Sequence, residues 1–568
     1  MKRFVWLLIA LVFSSCDDDV VEIHIVETTD LHGSFFDYDF AKRESSSGSL
    51  SQVAYFVDSL RSLTGEIVLL DNGDILQGNP VVYYSNYIQP SGANIVSRIL
   101  SLMEYDAVTI GNHDIETGSD VYNPLFNISK IPWLGANIVN AETQEPAYGA
   151  YHIVVKKGVK IAILGLTTPG IPDWLPERLY HGLMFKDMVE TAKKYMEMIR
   201  NEHPDIVVGL FHAGLDANYD GNKGVDYLNP NATIAVARQV PGFDVIFAGH
   251  DHKETVAWVE NVNGDSVLIV NGGSHGKELG HVVLKYDIAK RKIVNNHGFV
   301  VNVAKQSVHE PFVAKFTPYL DSVKQFFDKP VGVLETELCP QKSLFEPTEF
   351  MQFIHEIQLK ATGAEVSLSA PLQIRHCIEA GQISWSDVFS IYRFENYLAS
   401  LDMSIEEIDA FLEYAVNEWF NTIVSEGDPL FLYNKNQQLK GAYFNFSSAF
   451  GIDYIVDLTK PANQKVTILA VDGLKSFTQQ DTFRVAINSY RLVGGGGHLP
   501  KGSGLSRTML KSRNVWISER PIKSIIIDFF AENKSVKIVK KVNWKVVPER
   551  WVEAKGADEL SALGLLSD

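Results

Sequence analysis

Cysteine is scarce: there are three in 568 residues, and one of them, Cys16, stands near the start. The other two, Cys339 and Cys377, could form one disulfide in an exported protein, and two buried free thiols explain them equally well. A positive charge excess is also missing. Lys and Arg number 51 against 69 Asp and Glu, a formal net charge of −18. That argues against a nucleic-acid polymer held on a basic surface. It leaves room for a small anionic substrate, because bound metal ions reverse the sign locally. Beyond the N-terminus no apolar run is long enough to cross a membrane, and there are no internal repeats.

The N-terminus reads as a targeting segment. Lys2-Arg3 precede an apolar run from Phe4 to Phe13, followed by Ser14-Ser15-Cys16. The run is too short for a mature membrane span and has the layout of a signal peptide. The small residues before Cys16 resemble a bacterial lipobox. Residues 1–16 are therefore expected to be a lipoprotein signal, with Cys16 lipidated and Asp17-Asp18-Asp19 a solvated tether. An ordinary secretory signal cut nearby is the alternative. The protein is expected to be exported and held to the cell envelope only through this anchor. Its oligomeric state is left open.

A chain of this length exceeds one core, so at least two domains are expected. Strand and helix patterns alternate from residue 21 onward, which predicts a layered α/β architecture. Strands are predicted at 21–28, 67–70, 107–110, 151–155, 159–164, 206–210, 245–248, 267–270 and 281–286. Helices are predicted after residue 50, at 93–104 and at 185–201. A helix over 309–328, ended by Pro330, forms the linker. Ser404 and Glu407 have capping-box spacing and open another helix.

Five short motifs fall at the ends of the predicted strands: Asp30-Leu-His32, Gly73-Asp74, Gly111-Asn112-His113-Asp114, His212, and Gly249-His250-Asp-His252. Each alone is compatible with a turn, a core histidine or a surface loop. Together, Asp30, His32, Asp74, Asn112, His212, His250 and His252 form a ligand set for two divalent cations. Carboxylate, imidazole and amide oxygen without thiolate suit Zn²⁺ or Mn²⁺. Asp74 is the candidate bridging carboxylate.

These motifs resemble those of the calcineurin-like metallophosphoesterases. The chain as a whole resembles the two-domain 5′-nucleotidase family. Glu27–Gly33, Leu70–Pro80 and Asn488–Gly497 bring it nearest to the bacterial 2′,3′-cyclic-nucleotide 2′-phosphodiesterase/3′-nucleotidase branch. The resemblance implies a four-layer α/β/β/α sandwich over residues 20–302 and a helical linker over 303–330. It also implies a smaller α+β nucleotide-binding domain over 331–546, leaving 547–568 as a tail. It assigns Asp30, His32 and His252 to one metal, and Asn112, His212 and His250 to the other, with Asp74 shared. The metals would hold the phosphate and lower the pKa of an attacking water. His113 would face the phosphate as a catalytic group, supported by Glu116, with Asp114 a rival for that supporting role.

By the same resemblance, Phe446 and Tyr490 would sandwich the nucleobase, and Arg375 stands where 5′-nucleotidases bind substrate. Gly496 occupies the place of an Asp usual in 5′-nucleotidases, which favours a cyclic or 3′-nucleotide as substrate. The alternatives are a 5′-nucleotidase or nucleotide-sugar hydrolase on the same scaffold, a thiosulfohydrolase-like enzyme, and a surface binding protein with a vestigial site.

Overall fold

The structure is a computed structural model, and it describes residues 20–90, 94–215, 228–435, 439–562 and 564. The expected signal segment, its lipidation site Cys16 and the Asp17–Asp19 tether lie outside the described residues.

Two six-stranded sheets face each other. The first has the order Lys292–Asn302, Glu278–Asp287, Val20–Thr28, Val68–Asp71, Ala107–Thr109 and Trp133–Leu134. The second runs Glu254–Glu260, Ser266–Gly272, Val245–Ala248, Ile206–His212, Val159–Thr167 and Tyr151–Lys156. In each sheet the four strands Val20–Thr28 to Trp133–Leu134, and Val159–Thr167 to Ser266–Gly272, are parallel, with antiparallel strands outside them. Parallel strands are covered on both faces, and so read as continuous apolar runs. Ile23, Ile25, Leu70, Ile163, Leu210, Phe247 and Leu268 fill the space between the sheets. Helices Leu50–Thr64, Ile95–Met103 and Glu310–Phe327 pack on one outer face. Met188–Asn201 and Thr233–Gln239 pack on the other. This is the expected four-layer sandwich.

The helix expected as a linker is also part of this core. Phe312, Phe316, Val323 and Phe327 are buried in the cluster under the first sheet. Phe327 then meets Phe389 of the following half at 4.9 Å between ring centroids, and Tyr83 meets Phe389 at the same distance.

The second half is α+β. A five-stranded sheet has the order Ser448–Phe450, Val366–Ser369, Thr482–Asn488, Tyr397–Ser404 and Trp516–Pro521. Glu349–Thr362 and Ile405–Trp419 pack on it, the latter opened by the predicted capping box. The segment expected as a tail forms instead the helix Glu549–Ala562. Its Val552 and Leu560 are buried in the same apolar cluster as Phe345 and Leu430. The strand Trp544–Val547 ties it to Ile452–Asp457. Its two buried apolar residues lie eight positions apart, so the sequence shows no sustained stripe.

Cys339 and Cys377 are joined in a disulfide across a separation of 38 residues. Closing a loop of this size removes freedom from the unfolded chain and typically stabilises by about 2–4 kcal/mol. Cys377→Ser is expected to lower the thermal midpoint by several degrees, read by differential scanning calorimetry. A reductant should shift the unsubstituted protein and leave the variant unmoved.

Candidate metal centre

The motifs converge where the parallel strands end. Asp30 and His32 follow Val20–Thr28, and Asp74 follows Val68–Asp71. Asn112 opens the short helix Asn112–Glu116, His212 ends its strand, and His250 and His252 follow Val245–Ala248. Five of these seven residues, Asp30, His32, Asp74, His250 and His252, have left-handed backbone. Non-glycine residues adopt it at some cost, and such strain clusters at functional sites. Gly111 has a steric reason: a Cβ there would stand 2.2 Å from Asp74 Oδ1.

Two groups of ligand atoms form. In the first, His252 Nε2 lies 3.2 Å from Asp30 Oδ1 and 3.2 Å from His32 Nε2. In the second, His212 Nε2 lies 3.1 Å from Asp74 Oδ2 and 3.1 Å from Asn112 Oδ1, while His250 Nδ1 lies 2.8 Å from Asn112 Oδ1. Asp74 also accepts the His113 backbone N–H through Oδ1 at 2.7 Å.

The donor set fits divalent cations on three observations. Ligand atoms at 2.0–2.2 Å from one ion stand about 3–3.5 Å from each other, close to the spacings found here. The tautomers are set for coordination. His32 Nδ1–H donates to the Gln77 carbonyl at 3.0 Å and His212 Nδ1–H to the Asn72 carbonyl at 2.6 Å. That turns each neutral ring's Nε2 lone pair inward. Asp30 Oδ1 is also buried and faces the His252 Nε2 at 3.2 Å, so a carboxylate oxygen and an imidazole nitrogen converge out of water where a cation would satisfy both.

The electrostatics agree. Burial drives His32 down to about 4 and His250 down to about 3. Burial also works against a charged His212, yet Asp74 outweighs it and raises that ring to about 10. Burial opposes the charge on Asp30 and Asp74, but neighbouring histidines hold both carboxyls below their usual range. In the protein alone, protons on histidine supply the positive charge that cations would bring.

His113 sits beside this cluster, its ring 5.3 Å from that of His32. Its Nδ1 meets Glu116 Oε2 at 2.5 Å. Burial disfavours the charged ring, but Asp74 and Glu116 raise it to about 9. Asp114 is not its partner. That carboxylate accepts the backbone N–H groups of Asp74, Ile75, Leu76 and Gly111 at 2.8–3.0 Å. It braces the Asp74 loop against the start of the 112–116 helix.

The expected nucleobase slot is corrected. Phe446 is buried in the core against Trp419, Phe420 and Trp544, so it offers no face to a base. Tyr490 is half-buried, with its hydroxyl 3.3 Å from Asn445 Oδ1. Phe394, by contrast, is exposed and packs against the half-buried Phe444 at 5.7 Å between ring centroids. Phe446 rested on the resemblance alone, which does not tell which ring of Tyr443-Phe-Asn-Phe446 faces inward here. Arg375 is exposed, and among the described residues only its backbone is fixed, by Gln373 and Gln341. Gly496 has left-handed backbone, and a Cβ there would stand 2.2 Å from Arg491 Nη1. Arg491 fills the space that an Asp would need.

One further residue escaped the sequence reading. His275 has left-handed backbone, and its ring lies 5.4 Å from that of His32 and 5.7 Å from that of His252. Its backbone N–H donates to the Asp30 carbonyl at 2.9 Å. The signal was present, since Gly273-Ser-His-Gly276 also follows a strand end.

Two family models match the chain. Residues 23–254 match the calcineurin-like phosphoesterases, and residues 330–501 match the C-terminal domain of 5′-nucleotidases. The chain belongs to the two-domain 5′-nucleotidase family. The metallophosphoesterase fold implies divalent metal ions, and the two ligand groups are where this member could hold them.

Among curated relatives of this nucleotidase-family chain is the 2′,3′-cyclic-nucleotide 2′-phosphodiesterase/3′-nucleotidase of Salmonella typhimurium. It is 25% identical over 555 residues, covering 86% of this chain and 84% of the relative. The trifunctional nucleotide phosphoesterase YfkN of Bacillus subtilis is 24% identical over 590 residues. That match covers 93% of this chain but only 39% of YfkN. A putative 5′-nucleotidase from Staphylococcus aureus shares the fold, with a TM-score of 0.76 at 21% identity, over 92% of this chain and 99% of that one.

Proposed function

We propose that this member of the 5′-nucleotidase family hydrolyses nucleotides, with 2′,3′-cyclic nucleotides and 3′-nucleotides as its preferred substrates. One observation carries the chemistry: the ligand groups Asp30–His32–His252 and Asp74–His212–His250 lie next to each other, with a histidine–carboxylate dyad beside them. Asp30, His32 and His252 would hold one ion, and Asn112, His212 and His250 the other, with Asp74 between. Zn²⁺ or Mn²⁺ suits these donors. Such ions, when bound, polarise phosphate oxygens and supply a nucleophilic water at neutral pH.

The chain's own groups do the rest. Glu116 accepts from His113 Nδ1 and so leaves Nε2 to face the phosphate. There the imidazole stabilises developing charge and delivers a proton to the departing ribose oxygen. The seven ligand side chains fix the geometry before substrate arrives, so little reorganisation is left for the reaction. In the second half, Phe394 and Phe444, with Tyr490 nearby, take the place assigned to Phe446. Phe394 adjoins Glu395, and burial pushes the Glu116 carboxyl up with a smaller push from the Glu395 charge. Base stacking there would be worth about 1–3 kcal/mol per ring.

The cyclic and 3′ preference is supported by the Salmonella relative's name and by Gly496, which leaves no room for the acidic residue of 5′-nucleotidases. The deciding assay is phosphate release from 2′,3′-cyclic AMP, 3′-AMP and 5′-AMP by metal-loaded protein. The cyclic substrate is run with an added phosphomonoesterase. Rates on the first two should exceed that on 5′-AMP at least tenfold. Preference for 5′-AMP would instead make the protein a 5′-nucleotidase. Phe394→Ala is expected to raise KM for 3′-AMP with kcat nearly kept.

Export with a lipid anchor at Cys16 belongs to the same reading. The layout of residues 2–16 and the oxidised Cys339–Cys377 pair support it. Cys16→Ser should move the protein from the membrane fraction to the soluble fraction.

A further inference from the structure

The segment after the strand Val159–Thr167 carries two side chains that the ligand groups and the dyad do not use. Trp174 ends the short helix Ile171–Trp174. Its indole lies against the His250 imidazole, with ring centroids 5.1 Å apart and planes 18° apart. Gly170 leaves room for it, since a Cβ there would stand 2.7 Å from two indole carbons. Further along, Arg178 reaches the second half. It donates to the carbonyls of Ser518 at 2.8 Å and Glu519 at 3.2 Å, and lies 4.8 Å over the Tyr397 ring.

His250 needs such a support. A ligand imidazole is usually oriented by a hydrogen bond from its other nitrogen. His32 and His212 have that tie, each through Nδ1–H to a backbone carbonyl. His250 turns Nδ1 itself toward Asn112 Oδ1, and among the described residues its ring has no comparable carbonyl tie. Its rotation is restrained instead by the plane of Trp174.

We propose that Trp174 is the positioning residue for His250, and that Arg178 anchors this strap to the second half. Docking of the two halves and the geometry of one metal position are then linked through residues 171–179. The proposal rests on reading His250 as a metal ligand.

The test uses full-length protein stripped of metal and titrated with Co²⁺. Readouts are ions bound per chain after desalting, and tryptophan emission. The unsubstituted protein should bind two ions, with emission quenched as the ion beside His250 enters. Trp174→Ala should lower the affinity for one ion about tenfold or more and remove most of that quenching. It should lower kcat with KM nearly unchanged. Trp174→Phe, which keeps a stacking ring, should stay within about threefold of wild type in affinity. Gly170→Ala crowds the indole without deleting it and should shift affinity in the same direction, which covers the case of a misfolded Trp174→Ala. Arg178→Gln should weaken the same ion by less.

Wild-type affinity for both ions in folded Trp174→Ala and Gly170→Ala would overturn the positioning role. Wild-type affinity in Arg178→Gln would overturn the tie to the second half. His250→Ala runs beside them and should lose one ion. If it keeps two, the ligand reading itself fails, and the positioning role with it.

Discussion

Asp74→Asn is expected to leave a folded protein whose phosphoester hydrolysis is at least about a thousandfold slower, a loss of about 4 kcal/mol in transition-state stabilisation. Asp74 belongs to the second ligand group and is the carboxylate proposed to be shared with the first. One carboxylate oxygen is 3.1 Å from His212 Nε2, and the other holds the His113 backbone N–H at 2.7 Å. Asn keeps the shape and one acceptor but not the charge that two cations would share. Ion content measured on the variant should fall below two per chain.

Stability should fall as well. In chelator, the Asp74 carboxylate is paired with the His212 imidazolium at 3.1 Å, and removing one partner of a buried ion pair is costly. The metal-free variant should therefore melt below the metal-free parent, while added metal should raise the parent's midpoint alone. A variant that retains a tenth of the activity would remove Asp74 from the centre of the reading.

His113→Ala should cost about 10²–10⁴ in kcat with both ions still bound. No ligand atom is lost in this variant, only the group aimed at the phosphate. Glu116→Gln should produce a smaller loss in the same direction, because it weakens the hydrogen bond that orients the ring. Asp114→Asn should behave differently. Its carboxylate holds four backbone N–H groups, and Asn can accept through only one oxygen. Its expected effect is a loss of stability of about 1–3 kcal/mol, read by urea denaturation. If Asp114→Asn proved as damaging to kcat as His113→Ala, with stability intact, the assignment of Glu116 as partner would be wrong.

The contrast between these two acids shows what the local sequence could carry. Asp114 and Glu116 both lie within three residues of His113, and both can accept from an imidazole. On a helical turn, residues three apart share a face. Glu116 is therefore placed beneath the ring, while Asp114 points back toward Asp74. The helix Asn112–Glu116 is only five residues long, too short for a periodic pattern to announce it. The disulfide is similar: two cysteines give a possibility, and only the fold brings Cys339 and Cys377 within bonding distance.

The sequence by itself determined a layered α/β fold and put forward the residues that gather in the two candidate ligand groups, while the four-layer sandwich followed from the family resemblance. Apolar strand runs ending in Asp, Asn and His are local patterns, and a parallel sheet places all strand ends at one edge. Tertiary structure decided everything that depends on which face of a residue meets which neighbour. It put Phe446 in the core and Phe394 at the surface. It gave the space at Gly496 to Arg491, and it folded the segment after Pro548 back onto Phe345 and Leu430. It also laid Trp174 on His250, seventy-six positions away in sequence. Ligand chemistry is written in residue type and local spacing, whereas burial and stacking arise between segments that the chain brings together only on folding.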